Sequence, residues 1–222
     1  MPKVTAATAR KKPRPKAITR ARVTEAAFTI VDAEGADALS ARKLARALGC
    51  EAMSLYHHVS NMDAVLDDVV GHLLQQCVPA TLDLRHVRSQ LRRAADAYLA
   101  MALRHPRVFA LAAGRRWVSP SAYALAGALV ALFEASGLSA RQAGRAARAV
   151  GAYLNGAGMA LSGWKLRTVG EATPQSPDDS PAARRLREQF NPEDLRKDLD
   201  AGLLVLIDGL RGRRESRDRS DA

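Results

Sequence analysis

In the stretch SARKLARALGCEAMSLYHHVSNMD, Ser40 to Asp63, side chains that can hydrogen-bond a phosphate or a base edge stand close together. An arginine such as Arg42 can read guanine O6 and N7 through two parallel hydrogen bonds. Lys43, the Tyr56 hydroxyl, the imidazoles of His57 and His58, and the short polar groups of Ser54 and Asn61 can engage phosphate or nearby bases. With Ser40, Ala52 and Met53 on the same elements, the candidate DNA-facing set is Ser40, Arg42, Lys43, Ala52, Met53, Ser54, Tyr56, His57, His58 and Asn61.

Local signals position them. Ser40 can cap a first helix with its hydroxyl, and Leu44, Ala45 and Leu48 then share one face. Gly49 stops that helix, because glycine reaches left-handed angles at little cost. A second short helix is expected from about Glu51 to His58. Ser60 is expected to begin the next, with Asp63 completing a capping box. Helix, glycine turn and short polar-aromatic helix make the pattern of a helix-turn-helix, which lays its second helix in the major groove.

The chain has 222 residues, enough for one or two domains with a sizeable core. Its net charge of +11 is unevenly spread. Residues 1–22 hold eight Lys/Arg and no acid, whereas residues 23–78 hold three Lys/Arg against eight acids. The region that would read DNA is therefore net acidic, and the basic element is the arm in front of it. Such an arm points to nucleic acid or an anionic surface, or serves only as a solubilising tail. No apolar run approaches the roughly 20 residues needed to span a bilayer. No apolar segment follows the basic start in the manner of a signal peptide. A cytoplasmic protein without membrane contact is expected. Cys50 and Cys77 lack metal-ligand spacing and read as reduced core thiols.

Every ordered segment reads helical. Residues 1–17, with Pro2, Pro13 and Pro15 among lysines and arginines, read as a disordered arm. A helix over Thr19–Glu34 carries the stripe Val23, Ala26, Ala27, Ile30 and Val31 and ends at Gly35. A helix over Asn61–Cys77 is too long for a small head alone and reads as the connector to a second domain, with Pro79 as the break. Helices follow over about Leu84–Arg104, Arg107–Ala113, Ser119–Ser136 and Ser139–Leu166. Ser119-Pro120, Ser180-Pro181 and Asn191-Pro192 each pair a cap with proline at the first helical position. Residues 167–180 read as a polar loop, followed by a short helix ending near Phe190. A last helix with the stripe Leu195, Leu199, Leu203, Leu206, Ile207 and Leu210 leads to a charged tail. The expected fold class is all-α with about ten helices: an arm (1–17), a helix-turn-helix head (18–78), a larger helical ligand-binding and dimerisation domain (79–212) and a tail (213–222).

The helix over Ser139–Leu166 has a face of very small residues, among them Ala143, Ala147, Gly151 and Gly158. Each interior glycine costs roughly 0.5–1 kcal/mol relative to alanine, which a closely packed helix can offset. Ordinary core packing is one account. A four-helix bundle with a symmetry mate is the favoured one, because a lone helix-turn-helix reads too few bases. The candidate dimer residues are Gly151, Gly158, Leu199, Leu203, Leu206, Ile207 and Leu210.

The segment from Ala26 to Val70, most specifically LYHHVSNMDAVLD, resembles the head of the TetR family of repressors. DAGLLVLIDGLRG, Asp200 to Gly212, resembles the last helix of its tetracycline-repressor-like subgroup, which builds the dimer bundle. The resemblance implies an all-helical homodimer that binds a palindromic operator on double-stranded DNA and releases it when a small molecule enters the C-terminal domain. It implies DNA contacts by Arg42, Ser54, Tyr56 and His58. The chain departs from the subgroup at Ala52-Met53, often glutamine-proline, at His57, often tryptophan, and at Met62, a lysine in relatives. A different operator is implied. The subgroup's tetracycline–magnesium site uses a histidine early in the sixth helix and an acid in the eighth. RVFALAA (107–113) and NGAGMALSGW (155–164) supply neither. No cofactor or metal is expected, and His72, His86 and His105 show no metal-site spacing.

Tyr98, Met101, Phe109, Trp117, Tyr153 and Met159 can be core. Alternatively they line an apolar effector cavity, with His105 and Asn155 as its polar groups. The expected effector is a fairly apolar organic molecule. No paired carboxylates, nucleophile–base set, phosphate-cradling glycine loop or metal cluster supports an enzyme. The residues do not separate a repressor from an activator, or from a regulator without a ligand.

Overall fold

The computed structural model describes residues 17–168, 180–182, 184–185 and 192–218. The expected arm apart from Ala17, most of the 167–180 loop and most of the 181–190 helix lie outside them. Every regular element described is helical: α1 (Arg20–Glu34), a 3₁₀ turn (Ala36–Ala38), α2 (Ala41–Leu48), α3 (Ala52–Leu55), α4 (Met62–Gln75), α5 (Val87–Arg104), α6 (Pro106–Gly114), α7 (Pro120–Ala135), α8 (Ala140–Thr168) and α9 (Pro192–Asp218). None is long and apolar enough to cross a membrane.

Caps account for several of the boundaries. The Thr19 hydroxyl accepts from Arg22 N and starts α1, and Gly35, at φ 93°, ends it. The Ser119 hydroxyl accepts from Ala122 N, and Pro120 opens α7. At His105-Pro106 the chain bends between α5 and α6, with Pro106 at the first helical position, where its missing N–H is not needed. Four expectations are corrected. Asn61, not Ser60, caps α4: its Oδ1 accepts from Ala64 N at 2.8 Å. α3 stops at Leu55, and residues 56–58 form a turn. α5 starts at Val87 rather than Leu84, because the Asp83 carboxylate accepts from Arg85 N (3.0 Å) and meets His86 Nδ1 (2.9 Å), holding the intervening residues in a turn. α9 runs past Gly212 to Asp218, since arginine and glutamate favour helix enough to offset one glycine.

The buried apolar residues form one continuous cluster that passes through α4. Val65, Val69, Val70, Leu73 and Leu74 of α4 are buried, and the helix packs on α1 to one side and on α6 and α7 to the other. Full burial of each such side chain stabilises by about 1.5–3 kcal/mol. Gly71 permits the approach to α7: a Cβ there would lie 2.9 Å from Ser119 Cβ. In the C-terminal half α8 is central, packed against α5, α6, α7 and α9.

Candidate nucleic-acid interface and effector cavity

The head surface follows from which side chains the small core consumes. Leu44, Ala45, Leu55 and Val59 are buried in one cluster with Val23, Ala27 and Val31; α2 packs on α1, and α3 packs on α2. Gly49 turns between them at φ 69°, ψ 35°, the left-handed conformation expected of it. The opposite faces carry Arg42, Arg46, Met53, Tyr56, His57 and His58 into solvent; Met53 is 73% exposed and Tyr56 47%. Ala52 and Ser54 are half-buried. Three of the candidate residues hold the frame together. Ser40 accepts from Lys43 N at 3.3 Å to cap α2, Asn61 caps α4, and Lys43 pairs with Glu34. Arg42 and Arg46, one helical turn apart, are cations of the head without a hydrogen-bond or ion-pair partner among the described residues. Arg46 was missed by the sequence reading, although its i+4 spacing from Arg42 on the polar face of α2 was available as a signal.

Polar contacts tie the head helices to the rest. His105 Nδ1 lies 2.9 Å from Asp32 Oδ2 on α1, and Arg107 donates to Asp32 O at 3.3 Å. Phe28 stands edge-on to both His72 and His105, at 5.0 Å between ring centroids in each case. On α4, Asp67 Oδ1 accepts from Arg115 Nε (3.0 Å) and Nη2 (2.9 Å). Asp63 Oδ1 accepts from Arg115 Nη1 at 3.3 Å. Within the head, Arg20 joins α1 to α4 through two hydrogen bonds to Asp68 of 2.7 and 2.8 Å. Arg115 follows α6 directly, so one side chain joins the end of α6 to the first turns of α4.

A cavity of about 590 Å³ lies among α5, α6, α7 and α8. Its wall is largely apolar, including Trp117, Leu125, Leu129, Val130 and Leu154, and its polar members are Tyr98, Asn155, Arg115 and Arg148. The Tyr98 hydroxyl donates to Asn155 Oδ1 at 2.7 Å, and burial pushes the Tyr98 phenol pKa up. Trp117 Nε1 donates to Ala112 O at 2.9 Å. Of the candidate ligand residues, Tyr98, Trp117 and Asn155 line this cavity; Met101, His105, Phe109, Tyr153 and Met159 do not. Met101 is buried beside Cys77 (Sγ–Sδ 3.4 Å), and His105 belongs to the α1 contact. Phe109 is buried edge-on to Tyr98, and Met159 is exposed. The Tyr153 hydroxyl donates to Leu199 O at 2.7 Å, joining α8 to α9; burial, with Asp200 nearby, raises its pKa. Arg115 and Arg148 were not anticipated, because nothing local distinguishes them among so many arginines. Among the described residues no group of three His, Cys, Asp or Glu side chains could hold a metal ion.

The candidate dimer residues divide similarly. Leu203 and Ile207 are buried within the chain, Leu199, Leu206 and Leu210 are half-buried, Gly158 lies under the Phe109 ring, and Gly151 lines the cavity. The outer face of α8 and α9 instead shows Gly156, Met159, Ala160 and Val205, the last 74% exposed, and Ala152 lines the cavity with Gly151.

The sequence model of the tetracycline repressor-like C-terminal domain matches residues 83–213. The chain is similar to the HTH-type transcriptional repressor DrrR1 of Streptomyces coeruleorubidus, 37% identical over 106 residues, 47% of this chain and 39% of that protein. It is also similar to an HTH-type transcriptional regulator of Saccharopolyspora erythraea, 32% identical over 155 residues, 67% of this chain and 63% of that one. The matches thus span less than two thirds of either relative's length. Among solved structures, the TetR family protein ActR of Streptomyces coelicolor, in complex with actinorhodin, superposes with a TM-score of 0.71 at 25% identity, covering 87% of this chain and 97% of ActR. BioQ with its double-stranded DNA operator shares the fold, with a TM-score of 0.62 at 24% identity over 88% of this chain and 99% of BioQ. These relatives are regulators rather than enzymes, and the long match over α5 to α9 decides the assignment: the chain belongs to the tetracycline repressor-like family of helix-turn-helix transcriptional regulators.

Proposed function

We propose that the protein is a ligand-responsive repressor: a homodimer that binds a palindromic operator through its two heads and lets go when a small organic molecule occupies the α5–α8 cavity. The observation that carries this reading is Arg115, which lines the cavity and also holds Asp63 and Asp67 on α4, the helix directly after the recognition turn. An occupant that shifts Arg115 moves the support of the recognition helix. DrrR1 is a transcriptional repressor, and ActR binds a small organic molecule, actinorhodin.

In this reading residues 18–78 act as the DNA-binding unit and 79–212 as the effector and dimer unit. Arg42 reads a base, with Arg46 as neighbouring cation. Ser54, Tyr56 and His58 meet backbone or nearby bases, Met53 and His57 contribute the exposed remainder, and the basic arm adds phosphate contacts. The second copy rests on the outer face of α8 and α9, where Gly156 and Ala160 permit close approach beside Met159 and Val205. Two heads about one helical turn of DNA apart enter successive major grooves.

The test is operator selection from random DNA, followed by a screen for small molecules that release the selected duplex. A two-fold symmetric consensus is expected. Gly151→Leu, at a position where an added Cβ meets nothing within 4 Å, is expected to fill the cavity and abolish release while operator binding persists. Recovery of no consensus, or full release in that variant, contradicts the reading.

A further inference from the structure

The cavity has a charge character that an apolar effector alone does not explain. Among the described residues, its lining includes two arginines and no Asp or Glu. Arg148 has no hydrogen-bond or ion-pair partner among them. Asn155 has committed Oδ1 to Tyr98, which leaves its amide N–H groups as donors. The lining thus supplies hydrogen-bond donors beside broad apolar walls, with one unpaired cation, the exposed Arg148, and one, Arg115, that is shared with Asp67 and Asp63.

Arg115 is held by a combination that can be improved upon. A guanidinium binds a carboxylate best through two parallel hydrogen bonds to two oxygens. Here Nε and Nη2 both converge on one oxygen, Asp67 Oδ1. The second partner, Asp63, is 79% exposed and contacts Arg115 only at 3.3–3.4 Å, so water screens that pair. A carboxylate arriving from the cavity side could offer both oxygens in a less hydrated setting.

From these contacts we propose that the effector is an amphipathic organic anion, a ring-bearing body with one acidic oxygen group, and that this acid displaces Asp67 and Asp63 from Arg115. The inference rests on the cavity being the effector site and adds to it a ligand class and a trigger. The rings occupy the space beside Trp117, Leu129 and Val130, and the acid takes Arg115, with Arg148 as auxiliary cation. Losing Arg115 unfastens the first turns of α4. By linkage, operator binding weakens the acid by the same factor by which the acid weakens the operator.

The experiment uses the full chain, its selected operator duplex, and matched pairs of two- and three-ring aromatic carboxylic acids and their carboxamides. Affinities are measured by calorimetry and release by fluorescence anisotropy of the labelled duplex. Acids are expected to bind at least about tenfold more tightly than their amides, and only the acids to release DNA. Arg115→Gln is expected to remove that preference and, by freeing Asp63 and Asp67, to weaken operator binding even without a ligand. Asp67→Asn, which weakens the competing partner, is expected to raise acid affinity and leaves the question answerable if Arg115→Gln fails to fold. Equal binding of acid and amide overturns the proposal, as does an acid preference that survives Arg115→Gln or is unmoved by Asp67→Asn. If amides also release the operator, the effector site stands and the anionic trigger falls. If no ring compound of either kind is blocked by Gly151→Leu, both fall together.

Discussion

His105 Nδ1 and Asp32 Oδ2 lie 2.9 Å apart, joining the α5–α6 bend to α1, and their side chains are only 17% and 30% exposed. Asp32→Ala leaves the imidazole beside Phe28 without its acceptor. The variant is expected to lose about 1–2 kcal/mol of unfolding free energy. The cycle with His105→Ala should show a coupling of about 0.5–1.5 kcal/mol in urea unfolding. A coupling near zero would mean the contact is incidental.

Gly158 lies so close to Phe109 that a Cβ would fall 2.4 Å from Cζ and 2.7 Å from Cε1. The ring is fully buried and braced edge-on by Tyr98 at 5.4 Å, so it has little room to withdraw. Gly158→Ala is therefore expected to destabilise by about 1–3 kcal/mol. Gly163→Ala, at a position with nothing within 4 Å, should be neutral or slightly stabilising. Urea midpoints of the two variants decide it, and equal midpoints would remove the steric account.

Arg42 and Arg46 are placed to test two kinds of proposed DNA contact. If Arg42 reads a base, Arg42→Ala costs about 1–3 kcal/mol and relaxes one operator position. If Arg46 only meets phosphate, Arg46→Ala weakens all sequences alike and lowers the salt slope by about one. Selection and binding repeated on both variants distinguish these outcomes; uniform weakening by Arg42→Ala would contradict base reading.

Burial pushes the Cys77 thiol up from its ordinary 9.0 to about 11, and its sulfur sits 3.4 Å from that of Met101. Folding thus favours the protonated thiol. The contribution is complete below pH 9.0 and is lost as pH rises through about 11. Urea midpoints are expected to fall over that window more steeply in the parent than in Cys77→Ala. At pH 8 iodoacetamide should modify half-buried Cys50 well before Cys77. Equal labelling rates would show that Cys77 is accessible.

What could be read in advance was local. Ser40, Gly35, Gly49 and Ser119-Pro120 act through neighbours a few residues away, so each is recognisable by type and spacing alone. Asn61 took the cap expected of Ser60 because both types suit it and only the backbone geometry chooses. The apolar stripes of α1 and α4 are periodic and were equally legible. The cavity was not, since Arg115, Arg148, Tyr98 and Asn155 come from separate helices and meet only through tertiary packing. His105 and Phe109 looked like ligand residues by composition, and their partners Asp32 and Gly158 lie far away in the sequence. Leu203 and Ile207 shared a stripe with half-buried leucines, and the stripe alone does not say which of them face the chain's own core.

The carboxylates that fasten the head await partners that emerge from the ribosome later. Asp32 precedes His105 by 73 residues, and Asp63 precedes Arg115 by 52. At about 5–20 residues per second, the nascent head spends on the order of 3–15 s without these two contacts. During that interval the apolar side of α4 that will meet α6 and α7 has nothing to cover it. The helix proposed to transmit the effector's signal is thus also a segment in need of protection while the chain is being made.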